Sequence, residues 1–166
     1  MHTLIDVTIR MAKPEEAATI SSLIYDAFAE ERPHYTIEAF AFTTPGPDII
    51  KDRIIDRTVW VVVSANKIIA TASGCRRGEG FYVRSVAVKK NERRSGLAKA
   101  LMNHMEKLAI QNKCKNLKLT TASFLQPAVK LYESLGYREC GDQDLFGTTL
   151  IKMIKEINSQ TKNSII

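Results

Sequence analysis

The chain has 166 residues, 45% hydrophobic and 25% charged, with a formal net charge of +6. That length suits one domain able to bury a core, and no apolar run approaches the roughly 18 residues of a membrane span. Three scattered cysteines (Cys75, Cys114, Cys140) and three scattered histidines (His2, His34, His104) offer neither a disulfide framework nor a metal-ligand cluster. The opening Met1-His2-Thr3-Leu4-Ile5-Asp6 lacks the basic-then-apolar order of a signal peptide, so the chain is expected in the cytoplasm. The positive charge suits a polyanion, either a phosphorylated cofactor or a nucleic acid, and equally suits a solvated basic surface.

Asp6-Val7-Thr8-Ile9-Arg10-Met11-Ala12 alternates polar and apolar residues, as a half-buried strand does. Pro14 suits a first helical position, with Glu15 and Glu16 in the first turn. Ile20, Leu23, Ile24, Ala27 and Phe28 then recur at the spacing of one apolar helix face. Pro33, Pro45, Gly46 and Pro47 punctuate a less regular region, with short helices expected at residues 37–42 and 48–56. Aromatic residues gather there: Tyr25, Phe28, Tyr35, Phe40 and Phe42. They suit local core packing or one wall of a substrate pocket.

Thr58-Val59-Trp60-Val61-Val62-Val63 is β-branched and aromatic, hence a strand. Ala65-Asn66-Lys67 makes a tight turn into a returning strand at residues 67–73. Residues 74–80 read as a polar, basic loop and 81–88 as the next strand, whose run Val86-Ala87-Val88 suggests burial on both faces. A helix follows with Leu97, Leu101, Met105 and Leu108 on one face, ending near Asn112. Residues 117–122 form another strand. A strand, a helix and a strand in that order make a right-handed βαβ unit with parallel strands. Pro127 opens a helix that Gly136 stops at its C′ position, with Tyr137 packing back. Residues 137–140 read as a short strand, 141–144 as turn-rich, 148–154 as the final strand and 158–166 as a frayed tail. The sum is one three-layer α/β/α domain over residues 1–157. Its sheet is mixed and mostly antiparallel, with a parallel βαβ unit at the centre.

The stretch joining the βαβ strand to its helix, Lys89-Lys90-Asn91-Glu92-Arg93-Arg94-Ser95-Gly96, carries the chemistry. The free N–H groups and positive dipole of a helix start form an anion site, and arginines add charge on the approach. A Walker A loop needs G-x-x-x-x-G-K-S/T and a Rossmann turn needs three glycines after the first strand. This turn has neither; it reads Arg93-x-x-Gly96-x-Ala98.

That string resembles the Q/R-x-x-G-x-G/A motif of the GCN5-related N-acetyltransferase (GNAT) family. Val86-Ala87-Val88 is similar to the family's preceding strand, and Leu97-Ala98-Lys99-Ala100-Leu101-Met102 to its following helix. Leu131-Tyr132-Glu133-Ser134-Leu135-Gly136-Tyr137 resembles its L-Y-E-K-L-G-F signature, and residues 150–155 its last strand. The resemblance implies a GNAT-like fold and acetyl-CoA as acyl donor, with no metal. It implies that backbone N–H groups of Arg94, Ser95, Gly96, Leu97, Ala98 and Lys99 hold the pyrophosphate, with Arg93 and Arg94 adding charge-assisted bonds. Glycine at 96 lets the backbone approach a ligand, and Ala98 is the next smallest residue.

The resemblance further implies an oxyanion bound by backbone N–H from Val86, Ala87 or Val88, and a leaving thiolate protonated by Tyr132. Periodicity alone makes Tyr132 a core aromatic on its helix's apolar face. Some relatives place a basic glutamate where Tyr82 stands, and many carry asparagine where Leu125 stands; both are departures. Glu79, Glu31, Glu38 or a water relay are the remaining choices for the base. The implied activity is transfer of acetyl from acetyl-CoA to a primary amine, on a small molecule or a peptide. The first two helices and residues 141–147 would build the acceptor site. A homodimer is compatible with this reading. The competing class is an inactive acyl-CoA sensor or a basic nucleic-acid module. The latter is disfavoured because aromatics do not interleave with a basic stripe.

Overall fold

The computed structural model describes residues 6–157, so the expected frayed tail at 158–166 lies outside the described residues. The elements in chain order are β1 (Thr8–Met11), α1 (Ala17–Phe28), α2 (Ile37–Thr43), α3 (Pro47–Ile55), β2 (Val59–Ser64), β3 (Lys67–Arg77) and β4 (Gly80–Val88). They continue with α4 (Leu97–Gln111), β5 (Asn116–Thr121), α5 (Gln126–Ser134), β6 (Arg138–Leu145) and β7 (Thr148–Glu156). This is the expected α/β/α architecture. The strands form a mixed sheet in the order β1-β2-β3-β4-β5-β7-β6, and β4–α4–β5 is the βαβ unit with its strands parallel.

The chain divides into two compact units. One takes in the described residues up to Ser73 together with Ser85–Met102, and the other Gly74–Arg84 with the described residues from Asn103 onward. In the first, the predicted apolar stripe of α1 is the core. Ala17, Ile20, Leu23 and Ile24 pack with Ile50 and Ile54 of α3, Val59 and Val61 of β2, and Ala87. Burying the isoleucine, leucine and valine side chains among them contributes roughly 1.5–3 kcal/mol each before conformational entropy is counted. Pro14 does start a helical segment, but as a 3₁₀ turn over Pro14–Glu16 that leads into α1. The β2–β3 turn has Ala65 and Asn66 both at positive φ, the pattern of a tight type I′ hairpin.

In the second unit, Leu117 and Leu119 of β5, Met153 of β7, and Met105 and Ala109 of α4 are buried. Here the structure departs from the expected loop at 74–80. β3 runs on to Arg77 and β4 begins at Gly80. A β-carbon on Gly74 would lie 2.5 Å from the Phe81 ring and 2.6 Å from Met105 Sδ. The glycine is therefore a close-packing position within a strand. Arg76, read as loop charge, donates to the Gly78 and Asn112 carbonyls at 2.9 and 2.7 Å. The second departure is β6. Residues 141–144 continue the strand through an irregularity between Glu139 and Gly141 and pair with β7. Polar, turn-forming residues are tolerated there because β6 is an exposed edge strand.

Candidate active site

Strand β4 is kinked just before its end. Ser85 has φ +55°, left-handed backbone inside a strand. Beyond it, the Lys89 N–H donates to the Ile69 carbonyl at 2.9 Å, which holds the end of β4 on β3. Strand alternation then turns the Ala87 N–H toward β3 and the N–H groups of Val86 and Val88 away from it. The side chains alternate too. Ala87 is buried in the core, whereas Val86 and Val88 are only half-buried. The expected burial on both faces holds on one. The parallel register with β5 runs from Gly80↔Asn116 to Tyr82↔Lys118, while β4 itself continues to Val88.

After Val88 a 3₁₀ turn at Lys90–Glu92 leads toward α4. Arg94 at φ +65° and Gly96 at φ +80° are both left-handed. Backbone that alternates in hand turns successive N–H groups into a concavity suited to an anion. The Ala100 N–H donates to the Gly96 carbonyl at 3.0 Å, the first rung of the helix. The N–H groups of Leu97, Ala98 and Lys99 therefore precede the ladder. Leu97 is buried and fixes the helix start, and the Ser95 hydroxyl donates to the Glu92 carbonyl. Arg94, Gly96 and Lys99 are exposed, and Ala98 is half-buried. Glu92 is buried within the turn, a residue the sequence reading passed over.

Two of the turn's cations have partners on the segment around the end of α1. Arg93 Nη2 donates to the Ala27 carbonyl at 3.0 Å. Lys90 Nζ lies 2.7 Å from Glu30 Oε1 and, as the nearest cation, holds the Glu30 carboxyl below its ordinary pKa. Both links join residues far apart in sequence, so no local pattern announces them. Beside them is a cavity of about 720 Å³ lined by Thr19, Ser22, Asp26, Ile68, Lys89 and Asn91, among others.

The aromatic cluster forms in part. Tyr25 and Tyr35 meet the Phe40 ring at centroid distances of 5.6 and 5.9 Å, edge-on, with the Arg32 guanidinium 5.5 Å from the Phe40 centroid. These four residues line a second cavity, of about 740 Å³. Phe42 is exposed, and Phe28 packs against the core of α1, α3 and β2.

In the second unit Tyr132 sits in the last turns of α5. Gly136 at φ +97° ends that helix as predicted. The Gly136 N–H reaches the Glu133 carbonyl and the Tyr137 N–H the Tyr132 carbonyl, both at 3.0 Å, a Schellman pair. The Tyr132 ring is buried 5.9 Å from that of Tyr137. Burial pushes the Tyr132 phenol up to about 12, because phenolate is penalised without water. At the other end of α5, Leu125 is half-buried, and the Gln126 amide donates to the Ser123 carbonyl.

Of the candidate bases, Glu79 pairs with Lys115 at 3.1 Å, Glu31 lies 3.7 Å from His34, and Glu38 is exposed. The Tyr82 ring lies under the Arg77 guanidinium at 4.7 Å. Among the described residues no group of three or more His, Cys, Asp or Glu could hold a metal, and no helix is long and apolar enough to cross a membrane.

The match to known families decides what this turn belongs to. A family model described as the acetyltransferase (GNAT) family matches residues 20–137, from α1 through the turn to Tyr137. The chain belongs to the GNAT family. Acetyl transfer is that family's chemistry, with acetyl-CoA as donor. A curated relative, N-acetylaspartate synthetase of Xenopus tropicalis, is 34% identical over 84 residues, 49% of this chain. The matched region spans only 31% of that relative's length. Solved structures share the fold at low identity. The ribosomal-protein-S18-alanine N-acetyltransferase of Escherichia coli is 18% identical with a TM-score of 0.74, over 92% of this chain and 94% of that one. The yncA structure from Salmonella typhimurium with its cofactor acetyl-CoA is 18% identical with a TM-score of 0.73, over the same shares of 92% and 94%. A GNAT acetyltransferase from Staphylococcus aureus is 13% identical with a TM-score of 0.77, over 92% and 99%.

Proposed function

We propose that this GNAT protein, as one catalytic domain over residues 1–157, moves acetyl from acetyl-CoA to a primary amine by direct attack in a ternary complex in the cytoplasm. The observation that carries the reading is the turn: two left-handed residues, Arg94 and Gly96, feed a helix whose first N–H groups precede its hydrogen-bond ladder. Backbone N–H groups from Arg94 to Lys99 take the pyrophosphate. The Arg94 side chain adds a charge-assisted bond. Arg93 contributes charge while holding the turn on α1.

The amine nitrogen attacks the thioester carbon. The new C–N bond forms, the C–S bond breaks, and the oxyanion is met by the N–H of Val86 or Val88, the two that turn away from β3. Ala87, buried in the core, contributes packing. Tyr132 stays protonated throughout the neutral range. Burial raises the phenol's pKa, so Tyr132 is a hydrogen-bond donor to the sulfur as the C–S bond breaks, and the thiolate takes its proton from Tyr132 or from solvent. The amine proton leaves by a water relay or to one of Glu79, Glu31 and Glu38; Glu79 is exposed and paired with Lys115 at 3.1 Å. A relative named for acetylating an amino acid and a structural neighbour named for a protein alanine both support an amine acceptor.

The test is a thermal shift with acetyl-CoA, CoA, ATP and NAD in parallel. Ligand at 100 times its Kd adds about 2.7 kcal/mol, which raises Tm by several degrees in a domain of this size. A rise with ATP or NAD and none with acetyl-CoA overturns the reading.

A further inference from the structure

The kink at Ser85 has a partner that no motif predicts. A strand residue with a β-carbon is disfavoured in left-handed backbone, and serine has no special tolerance for it. Such a conformation persists only where its surroundings fix it. The Ser85 hydroxyl accepts a hydrogen bond from Arg53 Nη1 at 3.0 Å. Arg53 is itself held. It lies in the last turn of α3, its side chain is buried, and its carbonyl accepts from the Thr58 N–H at 3.1 Å and the Thr58 hydroxyl at 3.0 Å. Burying a guanidinium is costly, and a hydrophobic side chain of similar length would fill the same space more cheaply. What the guanidinium supplies and a hydrocarbon cannot is a directional donor at the residue just before Val86.

We infer that Arg53 is a positioning residue for acetyl transfer. Through Ser85 it locks the kink of β4, and the kink sets the direction of the Val86 N–H. The inference rests on the Val86 N–H, of the two proposed, being the donor at the thioester carbonyl. An oxyanion donor works only when it is pre-aimed, and a misplacement of about 1 Å costs on the order of a hundredfold in rate. Arg53 touches neither substrate nor cofactor in this scheme; it acts through Ser85.

The test compares Arg53→Met, Arg53→Lys, Ser85→Ala and Ser85→Asn with the parent protein. Three quantities are read: the Kd for acetyl-CoA, the infrared carbonyl band of bound [1-13C]acetyl-CoA, and kcat against KM on an amine found by screening. Arg53→Met and Ser85→Ala should keep the Kd within about threefold, move the carbonyl band back toward its free position, and lower kcat about 10- to 100-fold. Asparagine tolerates left-handed backbone and can accept from Arg53, so Ser85→Asn should retain more of kcat than Ser85→Ala. Arg53→Lys should fall between parent and Arg53→Met, because an ammonium donates as a point charge without the planar fork. The Ser85 variants remain informative if Arg53→Met fails to fold. An unmoved carbonyl band with parental kcat in Arg53→Met, or in Ser85→Ala, overturns the inference and leaves the acetyltransferase reading standing. A parent protein that does not bind acetyl-CoA overturns both.

Discussion

Replacing Gly96 by alanine is a small change whose effect can be worked out from the backbone. Gly96 has φ +80°. An L-residue with a β-carbon pays about 1–2 kcal/mol to sit in that region. The penalty has two places to appear. If the empty turn keeps its shape, it falls on folding, and Tm drops by about 2–8 °C at 2–4 °C per kcal/mol. If the turn relaxes until ligand arrives, it falls on binding, and the Kd for CoA rises about 5- to 30-fold, since 1.4 kcal/mol is a factor of ten. The sum of the two losses should reach at least about 1 kcal/mol. A β-carbon that also obstructs the pyrophosphate adds to the binding share. Calorimetric titration with CoA and a melting curve without it measure the two shares on one preparation. A variant with both losses under about 0.5 kcal/mol refutes the claim that the turn must be left-handed at this position to hold its anion.

Tyr132→Phe should leave the CoA Kd unchanged and lower kcat about 100-fold or more, read by steady-state kinetics. Because burial pushes the phenol up to about 12 and its protonated form is the donor, Tyr132 should contribute no falling limb to the kcat–pH profile below about pH 11; a limb near 9 that disappears in Tyr132→Phe contradicts this. Glu16 accepts from Arg10 through both carboxylate oxygens, at 2.9 and 2.8 Å, and its carboxyl is held below its ordinary pKa chiefly by that bond. A lowered folded pKa stabilises above the unfolded value and loses its effect as pH falls through the folded one. Glu16→Gln should thus cost about 1 kcal/mol at pH 7, after allowance for solvent screening, with the Tm gap closing below about pH 4. Gly74→Ala should cost about 1–3 kcal/mol by overpacking Phe81 and Met105. In a melting-curve cycle with Phe81→Leu, a coupling of about 1 kcal/mol is expected, and strict additivity would place the clash elsewhere.

The fold was legible wherever local pattern and tertiary demand agree. The apolar face of α1, the β-branched run of β2 and the Gly136 stop of α5 each state their structure within a few residues. Residues 74–80 misled because arginines and glycines ordinarily mark a loop. Here Gly74 is required by the Phe81 ring, and Arg76 bonds to carbonyls that only the folded chain supplies. Residues 141–144 misled because turn propensity is overridden at an edge strand that pairs on one side. Of the candidate site, Gly96 and Tyr132 stand in motifs. Ser85 does not, since nothing in serine's chemistry announces a left-handed strand residue. The bonds from Arg53 to Ser85 and from Arg93 to Ala27 are hidden for a simpler reason: each joins segments that only folding brings together.

The links from the turn back to α1 bear on how the protein would respond to ionic strength. Formal charge counts five cations from Lys89 to Lys99, namely Lys89, Lys90, Arg93, Arg94 and Lys99. Lys90 is already neutralised by Glu30, and Arg93 sits near the negative end of a helix dipole. Few mobile counter-ions gather around charges that have found a protein partner. Fewer are therefore displaced when an anion arrives, and added salt screens a smaller net attraction. The loop should meet its ligand as a mould of oriented amides more than as a cloud of positive charge, losing less affinity with rising salt than its sequence implies.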